Sequence, residues 1–166
     1  MLNYLEELVP PTHLGASVTI CGEAPSSEEL NWHVCLGCGQ GMANKFCIGC
    51  NKTTIPTPEG FVGASGRALR SMASAAGLAM YNKTNVVKAI PVGAYPGGFN
   101  SKHFQSTFYE PVKVGKKKVS TPTWELTAWY NRLRSELQYY RPNVVVAAGN
   151  EALFALTGLT GIEHYR

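Results

Sequence analysis

The chain has 166 residues, an apolar fraction of 45% and a formal net charge of +4. This length suffices for one domain with its own core, and no apolar run approaches the roughly 20 residues that span a membrane. The acidic N-terminal segment lacks the features of a secretory signal, so we expect a cytoplasmic protein, or one of the host cytoplasm if its source is viral. The mild positive charge suits a nucleic-acid partner without requiring one.

Predicted strands and helices alternate along the first half of the chain. Residues 2–8 favour a short helix, and the apolar run 17–22 predicts a buried strand. Beyond a cysteine-rich segment, helical spacing predicts a helix over 64–78, with Gly77 just past its last turn. Residues 84–90 predict a second buried strand.

The second half begins with residues 91–122, which are rich in Gly, Pro and Lys. They predict a long functional loop with two short strands. Thr121 and Pro122 predict the start of a long helix. Residues 143–149 predict the third buried strand, and Asn150 can cap a last helix.

Apolar strands that alternate with helices predict an α/β fold with a short parallel sheet in a three-layer α/β/α arrangement. We expect one domain over 1–166, with a small metal-binding insertion at 31–58. In such folds ligands bind at the carboxyl ends of the strands, so the loops that follow Gly22, Val87 and Gly149 are the candidate site.

The basic residues are scattered except for one run, Lys116 to Lys118. Two interpretations of this run remain open. It is either the solvated tip of a hairpin or a contact for nucleic-acid phosphates.

Four of the five cysteines form two CxxC pairs separated by eight residues: Cys35, Cys38, Cys47 and Cys50. Each pair lets two thiolates grip one ion from a tight turn, and two pairs complete a tetrahedral site. We predict a structural zinc, with an iron–sulfur cluster as the alternative, and no catalytic role because four thiolates leave no open coordination position. Cys21 lies in a predicted strand, where a small buried side chain fits.

Four motifs stand in a fixed order along the chain: GEAP at 22–25, EGFVGASG at 59–66, TNVVK at 84–88 and RPNVVVAAGNEAL at 141–153. In this order they resemble the uracil-DNA glycosylase superfamily, and most closely its family 4 enzymes, which are related to a domain found in some phage DNA polymerases. The resemblance implies a four-stranded parallel sheet. It also implies hydrolysis of the N-glycosidic bond of a uracil that is flipped out of DNA.

The resemblance assigns a role to five residues of this chain. Phe61 stacks on the uracil ring, and Ala24 bounds the pocket. Asn85 reads the base edge through an amide that both donates and accepts. Glu23 and Glu29 match the acidic residues of the family's first loop, which hold and activate the attacking water.

The chain departs from the family pattern in three ways. Ser26 stands where the family has Gly, and Ala89 stands where the family has a cluster ligand, so no iron–sulfur cluster is expected. The family also carries a His after a fourth strand, which stabilises the departing uracil anion. Arg166 precedes such a strand and His164 has a different context. Three interpretations remain open: the chain is an artificial fragment of such a domain, a split gene product, or a piece that a C-terminal fragment or a polymerase completes.

Two principal functions remain open. The chain is a uracil-DNA glycosylase, or the larger part of one, or it is a catalytically inactive zinc-containing DNA-binding or polymerase-accessory module with the same fold. A small-nucleotide hydrolase is weaker, because no Gly-rich phosphate loop is present. The expected partner is DNA, single-stranded or uracil-containing, and no membrane. The cysteine segment is expected where DNA enters, holding the two flanking loops or touching the strand.

Overall fold

A computed structural model describes residues 4–8, 10–12, 15–91 and 101–161. The helices and strands in this part of the chain are, in order, β1 (Tyr4–Leu8), β2 (Val18–Gly22), α1 (Ser27–Leu30), β3 (His33–Cys35), β4 (Gly41–Met42), β5 (Phe46–Cys47), β6 (Lys52–Pro56), α2 (Ala64–Ala75), β7 (Asn82–Asn85), β8 (Ala89–Pro91), α3 (Ser101–Phe108), β9 (Tyr109–Val114), β10 (Lys117–Pro122), α4 (Trp124–Tyr140), β11 (Val144–Ala147) and α5 (Asn150–Thr157). None of these helices is long and apolar enough to cross a membrane.

A parallel sheet of three strands in the order β11-β2-β7 forms the centre of the mixed α/β fold. The sequence prediction of a short parallel sheet with helices is confirmed at this level. The first and third strands lie where they were predicted, and the central strand β2 is almost wholly buried. Because all three strands run in one direction, their carboxyl ends meet at one edge, where Gly22 pairs with Asn85.

The predicted bounds of the second strand, 84–90, are wrong. β7 ends at Asn85, and the fully buried Val86 and Val87 form a bend instead of extending the ladder. The amide of Val86 donates to the carbonyl of Gly22 at 2.8 Å, and that of Val87 donates to the carbonyl of Glu23 at 3.0 Å. The bend therefore fastens the first loop to the end of β7.

The helix predicted at 2–8 is also wrong, because β1 is a strand that pairs antiparallel with β8. A segment of five residues is too short to be stable as an isolated helix, and the strand gains backbone partners from β8.

Residues 101–122 form a helix and a hairpin rather than the predicted long loop. α3 buries Phe104 and Phe108 completely, and β9 and β10 pair in register around a turn at Gly115 and Lys116. Two short strands are therefore confirmed in this segment. Of the lysine run, Lys116 lies at the turn of the hairpin, and Lys117 and Lys118 belong to β10. Residues 92–100 lie outside the described part of the chain.

Helix α4 begins at Trp124, two residues beyond Pro122, because Thr123 rather than the predicted Thr121 caps it. The Thr123 hydroxyl accepts a hydrogen bond from the amide of Leu126. The buried face of α4 packs with β2, the bend after β7, the start of β8, α3 and α5 in one hydrophobic core. The buried residues of this core are Cys21, Val86, Val87, Ala89, Phe104, Phe108, Leu126, Trp129, Tyr130, Leu133, Ala152 and Ala155.

A buried ion pair fixes α4 against the end of β7. The ammonium of Lys88 lies 2.9 Å from a carboxylate oxygen of Glu136, and the Thr84 hydroxyl donates to the other oxygen at 2.6 Å. Burial lowers the pKa of Lys88, and the carboxylate of Glu136 opposes that shift. Removing one partner would leave a buried charge without compensation, which destabilises strongly.

The cysteine segment forms a second sheet in the order β4-β3-β6-β5. Its two ends are joined where the amide of Thr57 donates to the carbonyl of Trp32 at 2.8 Å. Gly41 is required inside it, because a Cβ there would approach the Trp32 indole nitrogen to 2.5 Å. We call residues 31–58 the knuckle.

Candidate active site and metal centre

A cavity of about 620 Å³ opens at the carboxyl edge of the parallel sheet. The five residues predicted to form the pocket all line it: Glu23, Ala24, Glu29, Phe61 and Asn85. Gly22, Asn85 and Ala148 come from the ends of β2, β7 and β11, where ligands bind in sheets of this kind. His33 and Cys21 do not line this cavity.

Phe61 and Asn85 converge on Gly22. A Cβ placed on Gly22 would lie 2.5 Å from the amide oxygen of Asn85 and 2.6 Å from Cζ of Phe61. Only glycine therefore allows the amide and the ring edge to adjoin at this point. Among the described residues, none forms a hydrogen bond with the Asn85 side-chain amide. Its donor and its acceptor are both available to a ligand.

Phe61 has a backbone conformation that is unfavourable for an aromatic residue, with φ of 60°. Three neighbours hold it there. Its amide donates to the Glu29 carboxylate, its carbonyl accepts from the Arg70 guanidinium at 3.0 Å, and a Cβ on Gly66 would overlap that carbonyl. Such strain persists only where the surroundings over-determine the conformation, and it is common at ligand sites.

Glu29 joins two loops through its carboxylate. One oxygen accepts from the Phe61 amide, and the other accepts from the Ser26 amide at 2.8 Å. Burial raises the pKa of Glu29, and these two backbone hydrogen bonds oppose the shift. Because both oxygens are already engaged, we interpret Glu29 as a positioning residue, which leaves the predicted water-activating role to Glu23.

Glu23 is half-buried at the cavity wall, and no described residue forms a hydrogen bond with its side chain. Burial, followed by the charge of Glu151, raises the pKa of Glu23 from 4.5 to about 7. A carboxylate whose pKa lies near neutral pH is well matched to accept a proton from water at that pH.

The sequence analysis missed a polar cluster around Glu151. The Glu151 carboxylate accepts from Gln105 Nε2 and from the Tyr109 hydroxyl, each at 2.8 Å, and from the Tyr130 hydroxyl at 3.5 Å. Burial raises the pKa of Glu151 and raises that of Tyr109 to about 12. These residues come from α3, β9, α4 and α5, so no local motif could have grouped them.

The four predicted ligand cysteines meet in the knuckle, with their sulfur atoms all within 4.8 Å of one another. The Sγ atoms of Cys38 and Cys47 are 4.0 Å apart. A tetrahedral ion with Zn–S bonds of about 2.3 Å places its sulfurs about 3.8 Å apart. The four cysteines could therefore bind one metal ion. His33 lies outside this group, and no described residue hydrogen-bonds its buried Nδ1 atom.

Backbone amides favour the thiolate form of one of the four cysteines, Cys35. The amides of Cys38 and Gly37 lower the pKa of Cys35 to about 7, and the Gly37 nitrogen lies 3.2 Å from the Cys35 sulfur. Hydrogen bonding with Cys38 instead raises the pKa of Cys50 to about 12. Sulfur atoms this close cannot all ionise without a cation, which is the situation that a bound metal resolves.

No protein-family model and no curated protein matches this chain. The assignment of function therefore rests on the geometry and chemistry of the cavity and the knuckle.

Replacing Glu23 with Gln is expected to stabilise the fold above neutral pH. A raised carboxyl pKa means that the folded state favours the protonated form, so stability falls as the pH rises from about 4.5 to about 7. Gln cannot ionise and escapes this loss. Thermal unfolding of E23Q and wild type should give similar midpoints at pH 4.5 and a higher midpoint for E23Q at pH 8. The exposed neighbour variant E28Q serves as the control. An equal gain in both variants would contradict the burial argument.

Removing the Arg70 guanidinium should loosen the Phe61 backbone. One lost hydrogen bond of roughly 0.5–1.5 kcal/mol corresponds to a rise of about 2- to 10-fold in exchange of the Phe61 amide. Hydrogen exchange measured by NMR should show this rise in R70A and not in R67A, which removes another exposed arginine of α2. Unchanged exchange of the Phe61 amide in R70A would show that Glu29 and Gly66 hold the Phe61 backbone without Arg70.

Proposed function

We propose that the chain is a uracil-DNA glycosylase-type hydrolase, as its motifs suggest. One observation supports this most strongly. A stacking ring, an unoccupied amide and a carboxyl group with a near-neutral pKa line the same cavity, contributed by Phe61, Asn85 and Glu23. These are three of the groups that recognition and hydrolysis of a flipped uracil require. The proposal also includes two features that the family resemblance implies: a three-layer α/β/α arrangement and a fourth strand in the parallel sheet.

In the proposed reaction, uracil stacks on Phe61 and presents its edge to Asn85. The amide donor and acceptor fit a base edge that both accepts and donates. Ionised Glu23 removes a proton from water as the water oxygen bonds to C1′ of the deoxyribose. The bond between C1′ and the base breaks, and its electron pair leaves with uracil as an anion.

The expected rate is low, because the departing anion has few donors. No histidine lines the described part of the cavity, whereas three glutamates do: Glu23, Glu28 and Glu29. Loss of one preorganised donor typically costs about 10²–10³ in rate. This favours either slow chemistry or the second candidate, an inactive DNA-binding or polymerase-accessory module. A partner that supplies a strand and a His-Pro loop, as the family resemblance implies, would restore the rate.

Excision should be measured under conditions that detect slow chemistry. A single-stranded oligonucleotide with one uracil is incubated with excess protein, and abasic sites are cleaved with alkali. We expect slow product formation that increases as the pH rises through about 7, because the ionised form of Glu23 is the base. E23Q, F61A and N85A should lose it, and N85D should begin to accept cytosine because a carboxylate has no donor.

The control for excision is R134Q, which changes an exposed charge on α4 that does not line the cavity. A thymine oligonucleotide must stay intact. If wild type and E23Q give the same background with folded protein, the hydrolase proposal fails. Retained DNA binding in that case would favour the inactive module.

We further propose that the knuckle binds zinc. Four thiolates at single-ion spacing suit a mononuclear site, whereas an iron–sulfur cluster divides its four thiolates among two or four irons and so spreads the sulfur atoms further apart. Elemental analysis should give about one zinc per chain. C47S, which removes a buried ligand, should lose the metal and unfold at lower temperature, and C21S should keep it. A brown protein that contains iron would contradict the assignment.

A further inference from the structure

The hairpin β9-β10 carries most of the excess positive charge. Between Tyr109 and Pro122 it holds four of the chain's 15 basic residues and one of its 11 acidic residues. This segment therefore has a net charge of +3, out of a formal +4 for the chain. We call residues 109–122 the ribbon. Residues 110–120 are exposed, so these charges are free to meet a polyanion.

The register of the ribbon separates its lysines between two faces. Lys118 pairs with Lys113, and Lys117 pairs with Val114. Paired residues share a face and successive residues alternate, so Lys113 and Lys118 lie on one face. The other face carries Lys117 together with the apolar residues Val112, Val114 and Val119.

The face with Lys113 and Lys118 begins at the polar cluster beside the cavity. By the same alternation it includes Tyr109, whose hydroxyl donates to Glu151. Glu151 in turn acts electrostatically on Glu23 in the cavity wall. Lys113 follows Tyr109 by four residues, a distance of about 14 Å along a strand, so this basic face lies within a few nucleotides' length of the polar cluster around Glu151.

The base of the ribbon also presents an aromatic surface. Trp124 follows Pro122 by two residues and is 73% exposed. A basic surface beside an exposed aromatic ring is the combination that binds single-stranded nucleic acid, through phosphate contacts and base stacking. Duplex DNA keeps its bases stacked on each other and would not use this ring.

The knuckle is a poorer candidate for this contact. Residues 31–58 contain Lys45 and Lys52 and no acidic residue. A zinc ion held by four thiolates has a formal charge of about −2, which offsets both lysines. The knuckle is therefore close to neutral once it is loaded, while the ribbon keeps its charge.

We propose that the ribbon face formed by Lys113 and Lys118, together with Trp124, binds the phosphates and bases of single-stranded DNA next to the cavity. The contact adds affinity and fixes the position of the strand, and it carries no sequence preference. Its place beside the cavity rests on the proposed function. The binding itself is independent of excision.

The test measures binding of a fluorescent oligothymidine of 20 nucleotides by anisotropy, between 50 and 200 mM salt. Each phosphate contact in a single strand contributes about 0.7 to the slope of log affinity against log salt concentration. K113Q/K118Q should therefore lower the slope by about 1.4. K116Q/K117Q removes the same charge from the tip and the opposite face and should retain most of the slope. W124A should weaken binding at least 5-fold with the slope unchanged.

Several results would overturn the inference. Equal slope losses in the two double variants would mean that only net charge matters. An unchanged slope in K113Q/K118Q, or no binding by wild type, would exclude the ribbon. Polyglutamate and unlabelled DNA can be compared as competitors at equal charge concentration. If polyglutamate displaces the oligothymidine as well as DNA does, the ribbon binds an acidic protein partner instead. Absence of excision with the predicted slopes would reject the proposed reaction and leave this interface intact.

Discussion

The contact between the Glu29 carboxylate and the Phe61 amide is the constraint on which the cavity depends. It joins residues separated by 32 positions, and the knuckle fills the interval. Closing a flexible loop of that length costs about 3 kcal/mol beyond a constant term. The knuckle reduces this cost because its own sheet, together with the hydrogen bond from Thr57 to Trp32, already brings its two ends together. The knuckle therefore has a mechanical role: it keeps two loops of the site adjacent.

The fold was predictable where burial and periodicity agree, and it was not where an apolar run has two structural meanings. β2 and β11 follow from their apolar runs. Val86 and Val87 are as apolar as strand residues, yet they lie in a buried bend after Asn85. Pattern alone does not separate a buried strand from a buried bend. Likewise the short segment 4–8 takes its structure from β8, a partner that local propensity does not reveal.

The site divides in the same way. Phe61 and Asn85 were predictable because each belongs to a compact motif at the end of a strand or the start of a helix. The role of Glu29 in joining two loops was not predictable, because its two hydrogen-bond partners are backbone amides and one of them lies beyond the knuckle. Glu151 has no motif at all, and its partners Gln105, Tyr109 and Tyr130 are gathered only by tertiary packing.

The charges of the cavity and the ribbon have opposite signs, and this opposition has a consequence for recognition. Three glutamates line the described part of the cavity, and no lysine or arginine does. Such a surface repels phosphate and admits a neutral base. In the proposed complex with DNA, attraction for the strand then comes from outside the cavity, and the ribbon supplies it with a net charge of +3. Burial, followed by the charge of Glu151, keeps the pKa of Glu23 near 7. In the proposed complex, a strand held at the ribbon would present its bases, rather than its phosphates, to the cavity in which Glu23 would activate water.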